Sequence, residues 1–397
     1  RGVTGTLVLF VTDCQVKPLD NPMDDRAARQ IMEGPPGAET LIDGQRYLYF
    51  GGTGYLGLAG RPEVIEAACE ATRRYGVHSA TSRSGFGTNP ATLAVERQAA
   101  EFFDTEEAFY FVSGYVGSNV LVQCLAGRFD AVLVDESSHF SVREAARLAG
   151  GPIIAFRHRD PGDLERQIRH HGSTARRPLV LSDGVFPMTG AIAPVDEYLD
   201  VLGRCGTASL LIDDAHGIGV LGEHGRGTLE HFGRWDSGSN VQIDTEGTGR
   251  YVCGTLSKAM GGFGGILPGA GAFVQAARVA SHYFDGASAP PSPAAGATAK
   301  AIEIVRREPQ LRDQLRKNAA QVRAGLRGLG LAVDAWPTPV IGLAVGSAEN
   351  MQRIHRELKS AGILVPYFAA YSGAGREGML RIAVFATHTC EMLVGSV

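Results

Sequence analysis

Leu210-Leu-Ile-Asp213-Asp214-Ala-His216-Gly-Ile-Gly219 is the stretch on which the fold turns. Three apolar residues stop at two carboxylates, a histidine stands three places after the first, and glycines follow. A short uninterrupted apolar run suits a strand buried on both faces, as in a parallel sheet covered by helices. A carboxylate at the end of such a strand is costly unless a cation or strong hydrogen bonds meet it. A protonated pyridine nitrogen is one such cation, and His216 would then reach a phenolic oxygen on the same ring. A structural carboxylate cluster or a metal site would present the same residues.

The flanking sequence repeats the pattern. Ala108–Val112, Ala131–Val134, Pro152–Phe156, Leu179–Leu181 and Tyr251–Cys253 are further short strand candidates, separated by helical patterns at Val142–Ala149, Pro161–Arg169 and Val195–Gly203. Alternation of this kind predicts an α/β fold with a mostly parallel sheet, and ligands in such sheets sit beyond the carboxyl ends of the strands. The polar motifs come directly after the strands. Ala289-Pro-Pro-Ser-Pro293 interrupts the pattern, a helix is predicted over Ala297–Leu326, and Val340–Val345 and Arg381–Phe385 are strand-like. The expected organisation is an N-terminal arm (1–50), a large domain (51–290) and a smaller C-terminal α/β domain (291–397).

The chain of 397 residues is 44% hydrophobic and 20% charged, with a net charge of −4 and scattered basic residues. That balance argues against a nucleic-acid partner or a polybasic membrane surface. Leu7–Val11, the longest apolar run near the start, is far below the roughly 20 residues of a spanning helix. No export signal is read, and Arg1–Pro22 looks poorly connected to the rest of the chain. Six cysteines at scattered positions lack metal-ligand spacing, which fits a reducing cytoplasm and no metal.

Thr255-Leu-Ser-Lys258-Ala-Met-Gly-Gly-Phe-Gly-Gly265 supplies the chemistry. A lysine just after a strand, flanked by hydroxyls and followed by glycines, suits a Schiff base with a phosphate-bearing aldehyde, provided desolvation or a nearby cation removes the proton from its amine. Thr255 and Ser257 are candidate phosphate donors. Standing alone, the motif would equally describe a surface lysine before a flexible loop. The spacing of 42–45 residues from His216 and Asp213 fits two neighbouring strand ends joined by a crossover. Ser113-Gly-Tyr-Val-Gly-Ser-Asn119 comes after another strand and opens a helix, whose N–H groups and dipole suit a phosphate. In Asp135-Glu-Ser-Ser-His139 the histidine either stacks on a flat ring or is structural.

Taken together these residues resemble the α-oxoamine synthase family of fold-type I, aminotransferase-like enzymes that use pyridoxal 5′-phosphate (PLP). The resemblance runs from about Tyr47 to His388. It is densest in Ile212–Gly227 and good in Tyr55-Leu-Gly-Leu58, Phe109–Asn119, Gly184-Val-Phe186 and Leu380-Arg-Ile382 through Thr387-His388. It implies that Lys258 carries the cofactor and later moves the substrate α-proton, that Asp213 partners the pyridine nitrogen, and that His216 partners the ring oxygen. His139 is implied to stack on the ring. Ser113, Gly114, Tyr115, Asp183, Thr255, Ser257 and Ser288 are implied to complete the cofactor site, with Arg381 clamping the amino-acid carboxylate. The resemblance further implies a homodimer with sites at the interface, and decarboxylative condensation of an amino acid with an acyl thioester, carried by coenzyme A or a carrier protein. An aminotransferase, aldolase or lyase on the same scaffold is the alternative reaction. A non-catalytic partner subunit is the alternative of another class, against which stand the retained Lys258, Asp213 and His216.

Several positions depart from the family pattern. Thr53-Gly54 replaces the usual Asn-Asp, Pro187 a serine and Thr92 a histidine, while the neighbouring-subunit hydroxyl aligns to Ala287 or Ser288. The approach to Arg381 reads Pro366-Tyr-Phe-Ala-Ala-Tyr-Ser372. The substrate end has therefore drifted more than the cofactor end.

Overall fold

A computed structural model describes residues 30–172, 175–205, 207–235 and 248–394. The segment Arg1–Pro22 lies outside them. In chain order the strands are β1 (Glu39–Ile42), β2 (Gln45–Tyr49), β3 (Glu107–Phe111), β4 (Ala131–Asp135), β5 (Ile153–Phe156), β6 (Pro178–Asp183), β7 (Ala208–Asp213), β8 (Thr248–Thr255), β9 (Gly265–Gly269), β10 (Val340–Leu343), β11 (Ile363–Leu364), β12 (Tyr367–Phe368) and β13 (Met379–Ala383).

Seven of them form one sheet in the order β3-β9-β8-β7-β6-β4-β5. The ladders β8-β7, β7-β6, β6-β4 and β4-β5 are parallel, as the alternation of apolar runs and helices predicts. Every residue of β4 and β6 is buried, because helices cover both faces. The register sets Asp183 beside Asp213 and Asp213 beside Cys253, so the polar ends of three adjacent strands open on one edge.

One sheet strand is not legible as a strand in the sequence. Gly265-Ile-Leu-Pro-Gly269 runs antiparallel to both β3 and β8, whereas the glycine cluster around it suggests only a tight loop. Two glycines and a proline in five residues mask its strand character. The helix predicted over Ala297–Leu326 is two helices, Ser292–Arg307 and Gln310–Gly328. The ring of Pro309 forces Glu308 out of the helical region (φ −120°, ψ 67°) and stops the first helix there.

Residues grouped in the sequence with an N-terminal arm include a hairpin, β1-β2, and β2 pairs in parallel with β11 (Leu48 opposite Ile363). A third sheet, β10-β13-β12, carries Arg381 on its middle strand. His388 ties the two together. Its Nδ1 accepts from the Phe385 amide, its Nε2 lies 3.2 Å from the Tyr49 carbonyl, and its ring stacks on Phe50. The Thr-His ending of the resemblance is thus structural in this chain. So is Thr92, which is buried and bonded to the helix cap Asn89.

Candidate active site

The strand ends of β6 and β7, the turn after β8 and the middle of β13 converge on one cavity of about 350 Å³. Ser113, Gly114, Tyr115, His139, Asp183, Asp213, His216, Thr255, Lys258 and Arg381 all line it, so ten sequence candidates meet in one place. Ser257 and Ser288 do not line it, and Ser257 is exposed. Ser288 bridges Ser82 at the loop beside the Arg83–Gly87 turn, away from this chain's own cavity.

The two carboxylates after β7 have different tasks. Asp214 turns inward and accepts from the Thr228 amide (2.5 Å) and hydroxyl (2.7 Å), fastening the adjoining loop. Gly227, at φ +108°, is required there, because a Cβ would lie 2.0 Å from Asp214 Oδ2. Asp213 faces the cavity at 4% exposure and accepts from the Ala215 amide. Burial pushes its pKa up to about 6, with the charge of Lys258 opposing the rise.

Lys258 sits across the cavity on the turn after β8. Burial holds its amine down to about 8, against the pull of Asp213 and Asp183. Its Nζ lies 2.9 Å from Nε2 of His216, and Nδ1 of that histidine lies 2.7 Å from the hydroxyl of Tyr55. His216 is buried and its pKa lies well below the ordinary value for that reason, so the ring is neutral.

His139 caps the helix Phe140–Arg147 and is aimed by three contacts. Its amide donates to Asp183 (2.8 Å), Nδ1 accepts from the Ser141 amide (3.2 Å), and Nε2 lies 2.9 Å from the Tyr371 hydroxyl. Burial lowers its pKa to about 4, so Nε2 carries the proton and donates to Tyr371. Asp183, pushed well up by burial and by neighbouring Asp213, therefore steers the ring through the backbone.

Arg381 is a buried cation with no acidic partner among the described residues. It donates from Nε to the Pro187 carbonyl (2.6 Å), from Nη1 to the Gly52 carbonyl (3.0 Å) and from Nη2 to Tyr55 (3.1 Å). Three of its five N–H groups are used, which leaves donors for an anion. The two carbonyls belong to backbone that any residue supplies, so the side chains at Thr53-Gly54 and Pro187 can drift without losing the arginine. Tyr55 and Tyr371 are site residues that side-chain chemistry alone does not mark. Each stands inside a quoted motif, but its hydroxyl finds its partner only through tertiary contact.

These groups fit a phosphate-bearing pyridine aldehyde. Asp213 is a desolvated carboxylate suited to a ring cation, and Lys258 a desolvated amine suited to an aldehyde. A Cβ on Gly114 would fall 2.5 Å from Thr255 Cβ, so glycine lets the Ser113–Tyr115 turn close against the Thr255 hydroxyl, a shape that fits a phosphate. Gly114→Ala is expected to weaken PLP binding by about tenfold or more and also to lower the thermal unfolding temperature, because the added methyl meets buried Thr255; a cofactor titration and a melting curve read the two effects. No group of His, Cys, Asp and Glu among the described residues is arranged to hold a metal.

The sequence matches the aminotransferase class I and II family over residues 48–394. The chain belongs to that family. Within the aminotransferases it groups with the α-oxoamine synthases. It is 36% identical to 8-amino-7-oxononanoate synthase of Nitrosococcus oceani over 91% of this chain and 92% of that protein. Its fold is similar to that of Sphingomonas wittichii serine palmitoyltransferase, with a TM-score of 0.83 at 27% identity, covering 92% of this chain and 89% of the other. A serine palmitoyltransferase structure containing PLP superposes with a TM-score of 0.84 at 26% identity, over 92% and 90% of the two chains. PLP is the cofactor of this α-oxoamine synthase. No helix among its described residues is long and apolar enough to cross a membrane.

Proposed function

We propose that this enzyme joins an amino acid to the acyl group of a thioester, releasing the thiol and carbon dioxide and leaving an α-amino ketone. The observation that carries the reading is the pairing of a desolvated amine, Lys258, with a desolvated carboxylate, Asp213, at the ends of adjacent strands beside an arginine lacking an acid partner among the described residues. When bound, the cofactor supplies an electron sink for the carbanion formed at the amino acid's α-carbon.

The chain's own residues do the rest. Asp213 holds the proton on the pyridine nitrogen, and His216 orients the ring oxygen. Ser113, Gly114, Tyr115 and Thr255 hold the phosphate. Arg381 binds the amino-acid carboxylate with its remaining donors and so fixes which α-carbon bond faces Lys258. The Lys258 amine takes the α-proton and later returns one to the same carbon. His139 covers the ring face, and its Nε2–H, now given to Tyr371, is placed to steady the oxyanion that forms on the thioester carbonyl.

The unpaired thiols among the described residues support a cytoplasmic location. Phe86, 98% exposed on the turn next to the Ser82–Ser288 bridge, supports a homodimer in which Ser288 serves the neighbouring subunit's cofactor. The deciding experiment supplies acyl-CoA and candidate amino acids and follows thiol release. Release that depends on the amino acid is expected. Amino transfer to an oxo acid without thiol release would instead establish the aminotransferase reading.

A further inference from the structure

Tyr55 is fully buried, and its hydroxyl lies between two cavity residues, 3.1 Å from Arg381 Nη2 and 2.7 Å from His216 Nδ1. His216 Nε2 in turn lies 2.9 Å from Lys258 Nζ. Four side chains from distant parts of the sequence therefore form one hydrogen-bonded chain from the carboxylate clamp to the amine.

Its direction comes from what each group can do. A guanidinium only donates, so the Tyr55 oxygen accepts from Arg381. The hydroxyl proton then needs an acceptor, and His216 Nδ1 is the acceptor within bonding distance. A neutral imidazole that accepts at Nδ1 carries its proton at Nε2. That proton points at Lys258, whose nitrogen accepts it only as the uncharged amine. We infer that Tyr55 is a positioning residue that, held by Arg381, sets the His216 tautomer and thereby favours the free base of Lys258 over its ammonium form.

The groups around Lys258 make this preference consequential. Asp213 on β7 and Asp183 on β6 favour the ammonium, while burial and Arg381 on β13 oppose it, and neutral His139 adds no charge. To hold a charged Lys258, His216 must move its proton to Nδ1. Tyr55 would then carry an O–H with no acceptor in a fully buried place, which disfavours the ammonium form.

The inference rests on the role given to Lys258, so its test has two arms. In the first, the cofactor-free full chain is labelled with ¹⁵N-histidine and the His216 nitrogens are assigned by their loss in His216→Asn. Above pH 8, where the Lys258 amine is mostly uncharged, a protonated Nε2 and an unprotonated Nδ1 are expected, and a protonated Nδ1 there overturns the inference whatever the enzyme's reaction. In the second, the rate at which added PLP attaches to Lys258 is followed against pH. Tyr55→Phe is expected to raise the midpoint by about one pH unit and to keep the limiting rate at high pH, since one buried hydrogen bond is lost and the pocket is not. An unchanged midpoint overturns the inference. Should Tyr55→Phe not fold, the tautomer measured in the unaltered protein decides. Failure of PLP to attach to unaltered Lys258 would count against the proposed function, and the tautomer measurement is independent of it.

Discussion

Lys258→Ala abolishes covalent capture of PLP by borohydride and lowers amino-acid-dependent thiol release by about ten-thousandfold, the upper range for loss of a positioned acid–base group. The fold is expected to survive, because the amine makes one side-chain hydrogen bond, to His216, and is held as a cation only against the cost of its burial. Absorbance, borohydride labelling and thermal unfolding together check this. Normal turnover in a folded Lys258→Ala protein would refute the mechanism, since no other lysine among the described residues lines the cavity.

Asp213→Asn has opposite effects on stability and function. The Asp213 pKa is raised in the folded protein, from an ordinary 3.8 to about 6. A carboxyl whose folded pKa is raised binds more protons folded than unfolded. Stability of the cofactor-free protein therefore falls as pH rises between those values, and the full penalty is present above 6. The shift corresponds to a penalty on the order of 3 kcal/mol at neutral pH. Asparagine keeps an oxygen for the Ala215 amide and removes the charge, so the cofactor-free variant is expected to melt higher at pH 7 than the unaltered protein, with the difference vanishing towards pH 4. Under the proposed function, the same change removes the partner of the pyridine nitrogen. PLP should bind more weakly and turnover fall by about a hundredfold to a thousandfold, as for loss of one preorganised charge. Melting curves at both pH values and a PLP titration separate the two effects. A variant that is less stable at pH 7 and retains full activity would show that Asp213 is not the ring's partner.

The candidate residues that line the cavity are readable because each needs a particular chemistry at a strand end. A lysine among hydroxyls and glycines, an acid doublet closing an apolar run and a glycine turn before a helix are each interpretable locally, and the sheet brings those ends together. The doublet shows where local reading stops. Local chemistry does not tell Asp213 from Asp214, the family resemblance singles out Asp213, and the Thr228 contacts show that Asp214 is the carboxylate turned inward. Tyr55 and Tyr371 become functional candidates through partners 161 and 232 residues away, a relation that no periodicity records. The β9 strand is hidden for a physical reason of another kind. Gly265 admits a neighbouring ring, since a Cβ there would fall 2.1 Å from Phe111, and that need overrides strand propensity.

The pairing of Leu48 with Ile363 bears on the order in which the chain can be assembled. The β1-β2 hairpin has no strand beside it among the described residues except β11, so it waits on a segment made after the seven-stranded sheet, and an isolated two-stranded hairpin is marginal in water. The seven-stranded sheet needs nothing beyond Gly269 for its own ladders. A nascent chain can thus complete the framework that bears Asp213 and Lys258 before Arg381 has emerged, and the arginine is added to a sheet already formed.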